Sequence, residues 1–382
     1  MDALLTDVHL RWPIAGLRAL GRAELRLLAT APRRSAPGFW SRYTTRRALV
    51  PSIAEDPDGF AVEVGRLAAR HGPLVVYPGT EEAIATLFDH RATLGSAATL
   101  PYPGPEPLDR LRNKRTLPKL AAAAGLRSPA TLFEGRAAEA PVADLPYPCV
   151  LKAFDPVALG RSVVVHGPRD LRNRLDALPP SEGVLLQEYE HGTFVSLDLV
   201  VDRDGRLVRR FQHHVLRTSP REGGSVVRSV SVAPDEELAA RATDMLARAG
   251  YWGLAGLQFL NNESGPALID VNPRFSGPLP LSLACGLNLP AAWHAIAIGE
   301  DPGEPGPYPP GIGYHRAETD IGAALRGRPD LLFERGPKPR AGSFWAADDP
   351  VPAALLTAEA LGVRTRNRLA DGRRRLERSK RL

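Results

Sequence analysis

GLAGLQFLNNESGPALIDVNPRFSG, residues Gly253–Gly277, is the stretch that decides how this chain is read. Leu254, Leu257, Phe259 and Leu260 form an apolar run, and Asn261 to Pro266 has the composition of a turn. Ala267-Leu268-Ile269 then restarts a strand that closes on Asp270-Val271-Asn272-Pro273-Arg274. Residues two apart on a strand share a face, so Asp270, Asn272 and Arg274 point one way until Pro273 ends regular pairing. If the two strands pair as a hairpin, Gln258 lies beside Asp270. One carboxylate, two amide oxygens and a guanidinium then meet at one strand end. Hard oxygen donors of this kind suit Mg2+, which takes one or two carboxylates and completes its shell with water and phosphate oxygens. The arginine faces whatever anion the metal holds.

The chain has 382 residues, enough for about two to three domains and a substantial core. Hydrophobic content of 43% with 24% charged residues is ordinary for a soluble globular protein, and no apolar run of about 18 residues predicts a membrane span. Asp2, Asp7, His9 and Arg11 interrupt the N-terminus, so a secretory signal is not expected. Cys149 and Cys285 are far apart and form no CxxC, which fits a reduced, cytoplasmic setting. The formal charge of +6 is concentrated: Arg364–Leu382 holds nine Arg/Lys against Asp371 and Glu377, a net of +7, leaving −1 for the rest. The basic balance belongs to the tail, so nucleic acid is an unlikely partner of the folded body. Arg outnumbers Lys by 44 to 5, a bias of the kind a high-GC genome produces.

Alternation of strand and helix patterns over residues 1–105 predicts an α/β unit with a parallel sheet: strands at Leu4–Val8, Glu24–Thr30, near Ala48–Val50 and at Leu74–Pro78, with helices at Pro13–Gly21, Phe60–Arg70 and Glu81–His90. No GxGxxG follows the first strand, which excludes the usual dinucleotide fingerprint. Pro101–Pro107 reads as a linker. Beyond it a helix over Leu108–Gly125 carries Lys114, and strands follow at Thr131–Phe133, Cys149–Lys152, Val163–Val165, Val184–Tyr189, Phe194–Val201 and Leu207–Arg217. Asp235–Gly250 is an amphipathic helix, and Leu287–Ile298 is another. Gly299–Pro310 marks a second boundary, followed by a C-terminal extension (301–363) with weak elements and by the basic tail (364–382).

Lys114, Lys152 at the end of a strand, the polar turn Asp155–Ser162 with Arg161, the strand end Gln187-Glu188-Tyr189, and Asp270, Asn272 and Arg274 occur in that order. Lysines provide point charges for phosphates, a turn of small residues lets backbone N–H groups approach phosphate oxygens, and an extended segment exposes main-chain groups to an adenine edge. This series is what clasping Mg·ATP between two β-layers requires.

The same residues resemble the ATP-grasp superfamily over roughly 105–300. Asp270-Val271-Asn272-Pro273-Arg274 is similar to its Glu-x-Asn-x-Arg metal segment, NKRTLPKLAAAAGLRSPAT (Asn113–Thr131) to its entry segment, PCVLKAF (Pro148–Phe154) to its second lysine strand, and LLQEYEHGTFVSLDLVVDRDG (Leu185–Gly205) to its adenine hinge. Ser41-Arg42-Tyr43 and VVYPGTEEA (Val75–Ala83) resemble the preceding domain of carbamoyl-phosphate-synthase-like members. The expected fold is therefore an N-terminal parallel-sheet pre-ATP-grasp domain (1–105), an ATP-grasp small subdomain (106–185) and a central and C-terminal subdomain (186–300). The sequence departs from the pattern in three places. Gln258 replaces an acidic metal ligand, Phe194 stands near a usual ribose-binding Glu, and the turn after Lys152 has one glycine, Gly160, where two or three are common.

The resemblance implies an ADP-forming carboxylate–amine ligase acting through an acyl phosphate. It assigns ATP to Lys114, Lys152, Arg161, Gln187, Glu188 and Tyr189. Mg2+, with Mn2+ as an alternative, falls to Gln258, Asp270 and Asn272. Catalysis falls to Arg274 and Arg217, the latter in a loop-like LRTSPREGG segment, and a substrate carboxylate to Ser276 and Gly277. Small-molecule acid and amine partners and a homodimer are implied. Two other readings stand: a nucleotide-binding module with impaired turnover, and a relative that phosphorylates bicarbonate or carbamate. His213-His214 is not expected to hold a metal, since adjacent strand residues face opposite ways.

Overall fold

The structure, a computed structural model, describes residues 1–154, 159, 162–221, 223–304, 306–334 and 336–358. Arg161, most of the turn after Lys152 and the basic tail lie outside them.

Three sheets build the chain. The first is parallel, in the order β3-β2-β1-β4-β5, with β1 Ala3–Leu5, β2 Leu27–Ala31, β3 Thr44–Leu49, β4 Leu74–Tyr77 and β5 Ala98–Thr99. Its apolar central strands are buried on both faces, as crossover helices require. The order reverses between β1 and β4, and a crevice opens at their carboxyl ends, the position where open α/β sheets receive ligands. Gly79 and Thr80 stand there, with Thr80 capping the helix Glu81–Asp89 by accepting from the Ala83 N–H.

The second sheet is four-stranded and antiparallel, ordered β6-β9-β7-β8: β6 Thr131–Arg136, β7 Cys149–Ala153, β8 Val163–Val165 and β9 Gly183–Glu188. It has a core of its own around Leu151, Leu171, Val184 and Leu186. The third has seven strands, β14-β13-β10-β11-β12-β15-β16, with β10 Thr193–Val201, β11 Leu207–Ser219, β12 Ser225–Ser231, β13 Gly253–Asn262, β14 Gly265–Asn272, β15 Gly313–His315 and β16 Pro339–Gly342. The sequence reading did not assign β12.

The decisive hairpin forms as its pattern requires, and Gln258 pairs directly opposite Asp270. Its strands run closer to the turn than composition suggested, with Asn262 opposite Gly265 at positive φ. Pro266 is tolerated inside β14 because that strand lies at the sheet edge. Between Gln258 and Phe259 the register shifts, making Ile269 the extra residue of a bulge.

One expectation is corrected. The helix anticipated over Leu108–Gly125 is two helices, Pro105–Arg112 and Leu117–Ala123. Pro118 in one continuous helix would drive its ring into the carbonyl four residues earlier, that of Lys114, so the chain turns at Asn113–Thr116 instead. Lys114 therefore sits in a turn between helices. On the two sides of Pro101–Pro107 the chain shares a core. The face of the first sheet that carries Tyr77 shares one core with the seven-stranded sheet, where Tyr77 stacks on Phe275 at 5.5 Å and meets Trp293 edge-on at 5.0 Å. The segment after Gly299–Pro310 packs into the seven-stranded sheet. It supplies β15 and β16, and Asp349 returns to the first domain to pair with buried Arg18 at 2.8 Å. No helix among the described residues is long and apolar enough to cross a membrane.

Candidate functional site

A cleft of about 860 Å³ opens between the four-stranded sheet and the seven-stranded sheet, with Glu81, Asp109 and Arg112–Arg115 on a third side. That volume is at the upper end for small-molecule sites, which run roughly 300–1,000 Å³. Lys114, Lys152, Gln187, Glu188, Tyr189, Gln258, Asp270, Asn272 and Arg274 all line it.

The metal-type donors form one connected run. Asn272 Nδ2 donates to Asp270 Oδ2 at 3.1 Å, and Arg274 Nη2 donates to Asn272 Oδ1 at 3.0 Å. Lys114 Nζ reaches across from its turn to Asp270 Oδ1 at 2.5 Å. Burial acts to raise the Asp270 carboxyl, but the charge and hydrogen bond of Lys114, with Lys152 and Arg274 behind, outweigh it and hold the group below the ordinary carboxylate range. Asp270 is thus an anion in a cationic surrounding. Among the described residues no three His, Cys, Asp or Glu side chains converge as a metal cluster. The donor set is one carboxylate with the amide oxygens of Asn272 and Gln258. This fits a hard cation that takes most of its shell from phosphate and water, and does not fit a cation held by protein alone.

Lys152 leaves β7 buried, and its Nζ donates to the carbonyl of Ile269 at 2.9 Å. The bulge turns that carbonyl out of the ladder, which gives the lysine an acceptor. Burial, then the like charge of Lys114, lower the Lys152 ammonium to about 8, with Asp270 opposing. At neutral pH it is still charged, in a place where charge is costly unless an anion shares it.

At Glu188 the chain leaves the four-stranded sheet, and at Thr193 it enters the seven-stranded one, so Tyr189–Gly192 crosses between the two walls. Glu188 N–H donates to Ala130 O at 2.9 Å, while Gln187 Nε2 donates to Pro129 O at 3.2 Å. The Gln187 Oε1 atom is buried and receives no donor. Arg127 grips Glu190 through both Nη atoms at 2.6 and 2.8 Å, fixing the crossing segment against β14.

Three anticipated positions lie elsewhere. Arg217 is not in the cleft wall: Asp320 and Glu334 hold its guanidinium, and Arg228 and His315 join the same buried cluster. The reason is β12, which pairs with β11 through Arg228 and draws the C-terminal segment over both arginines. Ser276 and Gly277 follow Arg274 away from the cleft, where Gly277 O receives the Tyr314 hydroxyl at 3.4 Å. Arg161 lies outside the described residues.

Other residues line the cleft without having been anticipated. Glu81, at the first turn of its helix, accepts from Arg274 Nε at 3.3 Å and from Arg112 Nη2 at 2.9 Å. Its only sequence signal was an acid just after a strand-Pro-Gly-Thr turn. Arg221, Gly223 and Gly224, at the β11–β12 tip, close another side of the cleft. With Arg112, Lys114, Lys152, Arg221 and Arg274 on its walls, the cleft can hold a polyanion.

An N-terminal parallel sheet followed by two β-layers that face each other across a cationic cleft is the ATP-grasp fold, and this chain has it. Residues 181–319 match the family described as "ATP-grasp in the biosynthetic pathway with Ter operon". Solved structures agree in fold. The biotin carboxylase domain of Hydrogenobacter thermophilus 2-oxoglutarate carboxylase, in complex with MgADP, ADP and bicarbonate, is 16% identical at a TM-score of 0.62, over 78% of this chain and 70% of that one. An L-amino acid ligase from Bacillus licheniformis is 16% identical at 0.58, covering 78% and 74%. The Campylobacter jejuni biotin carboxylase, described as a β-γ-ATP complex, is 13% identical at 0.60, covering 78% and 71%.

Proposed function

We propose that this chain is an ATP-dependent ligase that joins a carboxylate to an amine through an acyl phosphate, with release of ADP and phosphate. The observation that carries this reading is the run Lys114–Asp270–Asn272–Arg274 at the mouth of a cleft that also holds buried Lys152. The ligase and the MgADP-bound carboxylase that share the fold support it.

In this reading Gln187, Glu188 and Tyr189 line the place of the adenine, while Lys114 and Lys152 hold phosphate oxygens. Asp270, Asn272 and Gln258 would hold Mg2+, or Mn2+ in its place, which would neutralise phosphate charge. The substrate carboxylate oxygen attacks the γ-phosphorus and the bond to the ADP oxygen breaks. The amine nitrogen then attacks the acyl carbon, loses a proton, and expels phosphate. Arg274 lies where charge builds on the transferring phosphoryl group and on the tetrahedral carbon. No covalent enzyme intermediate is needed. Arg217, held by Asp320 and Glu334, is given no part in the reaction. A homodimer is proposed with it, since the Hydrogenobacter domain is described as a dimer.

The test is an ADP-release screen over pairs of acids and amines, with product masses measured. ADP formed only when both are present, and lost in Lys152→Ala and Asp270→Ala, supports the ligase. ATP binding with no ADP across the screen leaves a nucleotide-binding module, a result the single carboxylate of the metal set makes worth scoring. ADP formed with bicarbonate alone points to the carbamate-type relative.

A further inference from the structure

In the cleft the metal-type donors are held by the chain's own N–H groups. Asp270 Oδ1 accepts from Lys114 Nζ at 2.5 Å, and Asp270 Oδ2 accepts from Asn272 Nδ2 at 3.1 Å. Asn272 Oδ1 in turn accepts from Arg274 Nη2 at 3.0 Å. Mg2+ binds such oxygens at about 2.0–2.1 Å. With the Lys114 ammonium already on Oδ1, a dication at the same oxygen would meet a like charge at close range, and the two cannot share it cheaply.

The turn that presents Lys114 is well fixed. Asn113 Oδ1 accepts from the Arg115 N–H at 2.9 Å, and Arg115 pairs with Glu134 at 2.6 Å and lies 5.3 Å from the Phe154 ring. The Lys114 side chain itself is a flexible stem with a compact charge at its end. Lys114 and Asp270 both line the cleft, with side chains 23% and 31% exposed, so a ligand in the cleft can reach the contact between them. The surrounding charge has one sign in excess. Lys114, Lys152, Arg112 and Arg274 stand against Asp270 and Glu81, and Lys152 reaches the carbonyl next to Asp270. Such a field repels a lone dication and attracts a polyphosphate, whose arrival reverses the local sign.

We infer that Lys114 is a switch on the metal donors: seated on Asp270 it shuts them to a bare divalent cation, and passing its ammonium to a nucleotide phosphate opens them. The site then takes its cation together with a polyphosphate and not ahead of it. The inference rests on the nucleotide site of the ligase reading. The exchange swaps one ionic partner for another and breaks no covalent bond. Because Asp270 and the phosphate compete for the same ammonium, the contact weakens both ligands alone, and removing either member of the pair should strengthen the binding that the other obstructs.

The test uses the full-length protein and reads binding in two ways. Mn2+ is titrated without nucleotide and followed by electron paramagnetic resonance. Lys114→Met, with Lys114→Gln as a second variant, should bind Mn2+ about tenfold more tightly than wild type, and the gain should vanish in Lys114→Met/Asp270→Asn. Equal Mn2+ affinity in wild type and both variants overturns the switch. In EDTA, β,γ-methylene ATP is titrated by calorimetry. Asp270→Asn, which releases Lys114, should bind it about tenfold more tightly than wild type, while the same substitution in a Lys114→Met background should change little. A gain of equal size in both backgrounds is a plain charge effect and overturns the switch. Neither measurement uses an acid or an amine, so the switch can fall while the ligase stands, and it can hold where the ADP-release screen fails. No binding of the analogue by any form removes the nucleotide site, and the switch with it.

Discussion

Glu81 accepts from Arg274 at 3.3 Å and from Arg112 at 2.9 Å, so one carboxylate from the first domain holds two cleft arginines that come from different parts of the chain. Arg274 also lies 5.8 Å from the ring of Trp12, at the crevice where the order of the first sheet reverses. The arginine proposed to meet the reacting phosphoryl group is thus aimed by residues of the first domain.

Glu81→Gln keeps the shape and removes the charge. The partners are partly exposed, and such pairs contribute about 0–1 kcal/mol to stability, so the melting temperature should barely move. Turnover should fall about tenfold, less than for Arg274→Ala, where the loss should reach about a hundredfold to a thousandfold in kcat. Steady-state kinetics with a thermal scan separates the two. Equal activity in Glu81→Gln and wild type would show that Arg274 needs no such guide.

Lys152 sets a pH dependence. Its ammonium, lowered to about 8 mainly by burial, is charged below that value and neutral above it. A phosphate oxygen gains from the charged form only. ATP affinity should therefore hold from pH 6 to about pH 7.5 and then weaken, approaching tenfold per pH unit well above 8. Isothermal titration across that range reads it directly, and Lys152→Met should bind weakly with a flat profile.

Gln258 stands opposite the only carboxylate of the metal set. Gln258→Glu would add a second charged donor, so the Mg2+ concentration needed for half-maximal ADP release should fall. Metal dependence identical to wild type would remove Gln258 from the ligand set.

Asp349 is 2% exposed and receives Arg18 Nε at 2.8 Å, the Ser41 hydroxyl at 2.8 Å and the Arg42 N–H at 2.9 Å. Asp349→Ala strands Arg18 as a buried unpaired charge, at a cost of about 3–5 kcal/mol. Denaturant unfolding should show a lower midpoint. Asp348→Ala, whose partner Arg22 is about one-third exposed, should cost far less.

Local patterns carried most of the elements and the metal end of the site. Apolar alternation marked β13 and β14, and Pro273 marked where they stop, so Gln258 could be set beside Asp270 from spacing alone. The same local logic failed where a distant partner intervened. Pro118 was present in the sequence, yet the periodicity around it suggested one helix, and the turn at Lys114 followed from a clash that pattern matching does not weigh. Ser225–Ser231 lacks a run of bulky apolar residues and becomes a strand because β11 and β15 flank it.

The sequence alone determined the chemistry available in Gly253–Gly277: a carboxylate, two amides and an arginine at one strand end, with two lysines ahead of them. Those are properties of residue type and of period-two geometry, which act over a few residues. Tertiary structure alone decided which groups share the space. It brought Glu81 to Arg274 across 193 positions, took Arg217 out of the cleft by giving it Asp320, and left both ring nitrogens of His213 buried with no partner among the described residues. Such choices depend on burial and on charges that meet only after the sheets have packed, and no stretch of sequence encodes them by itself.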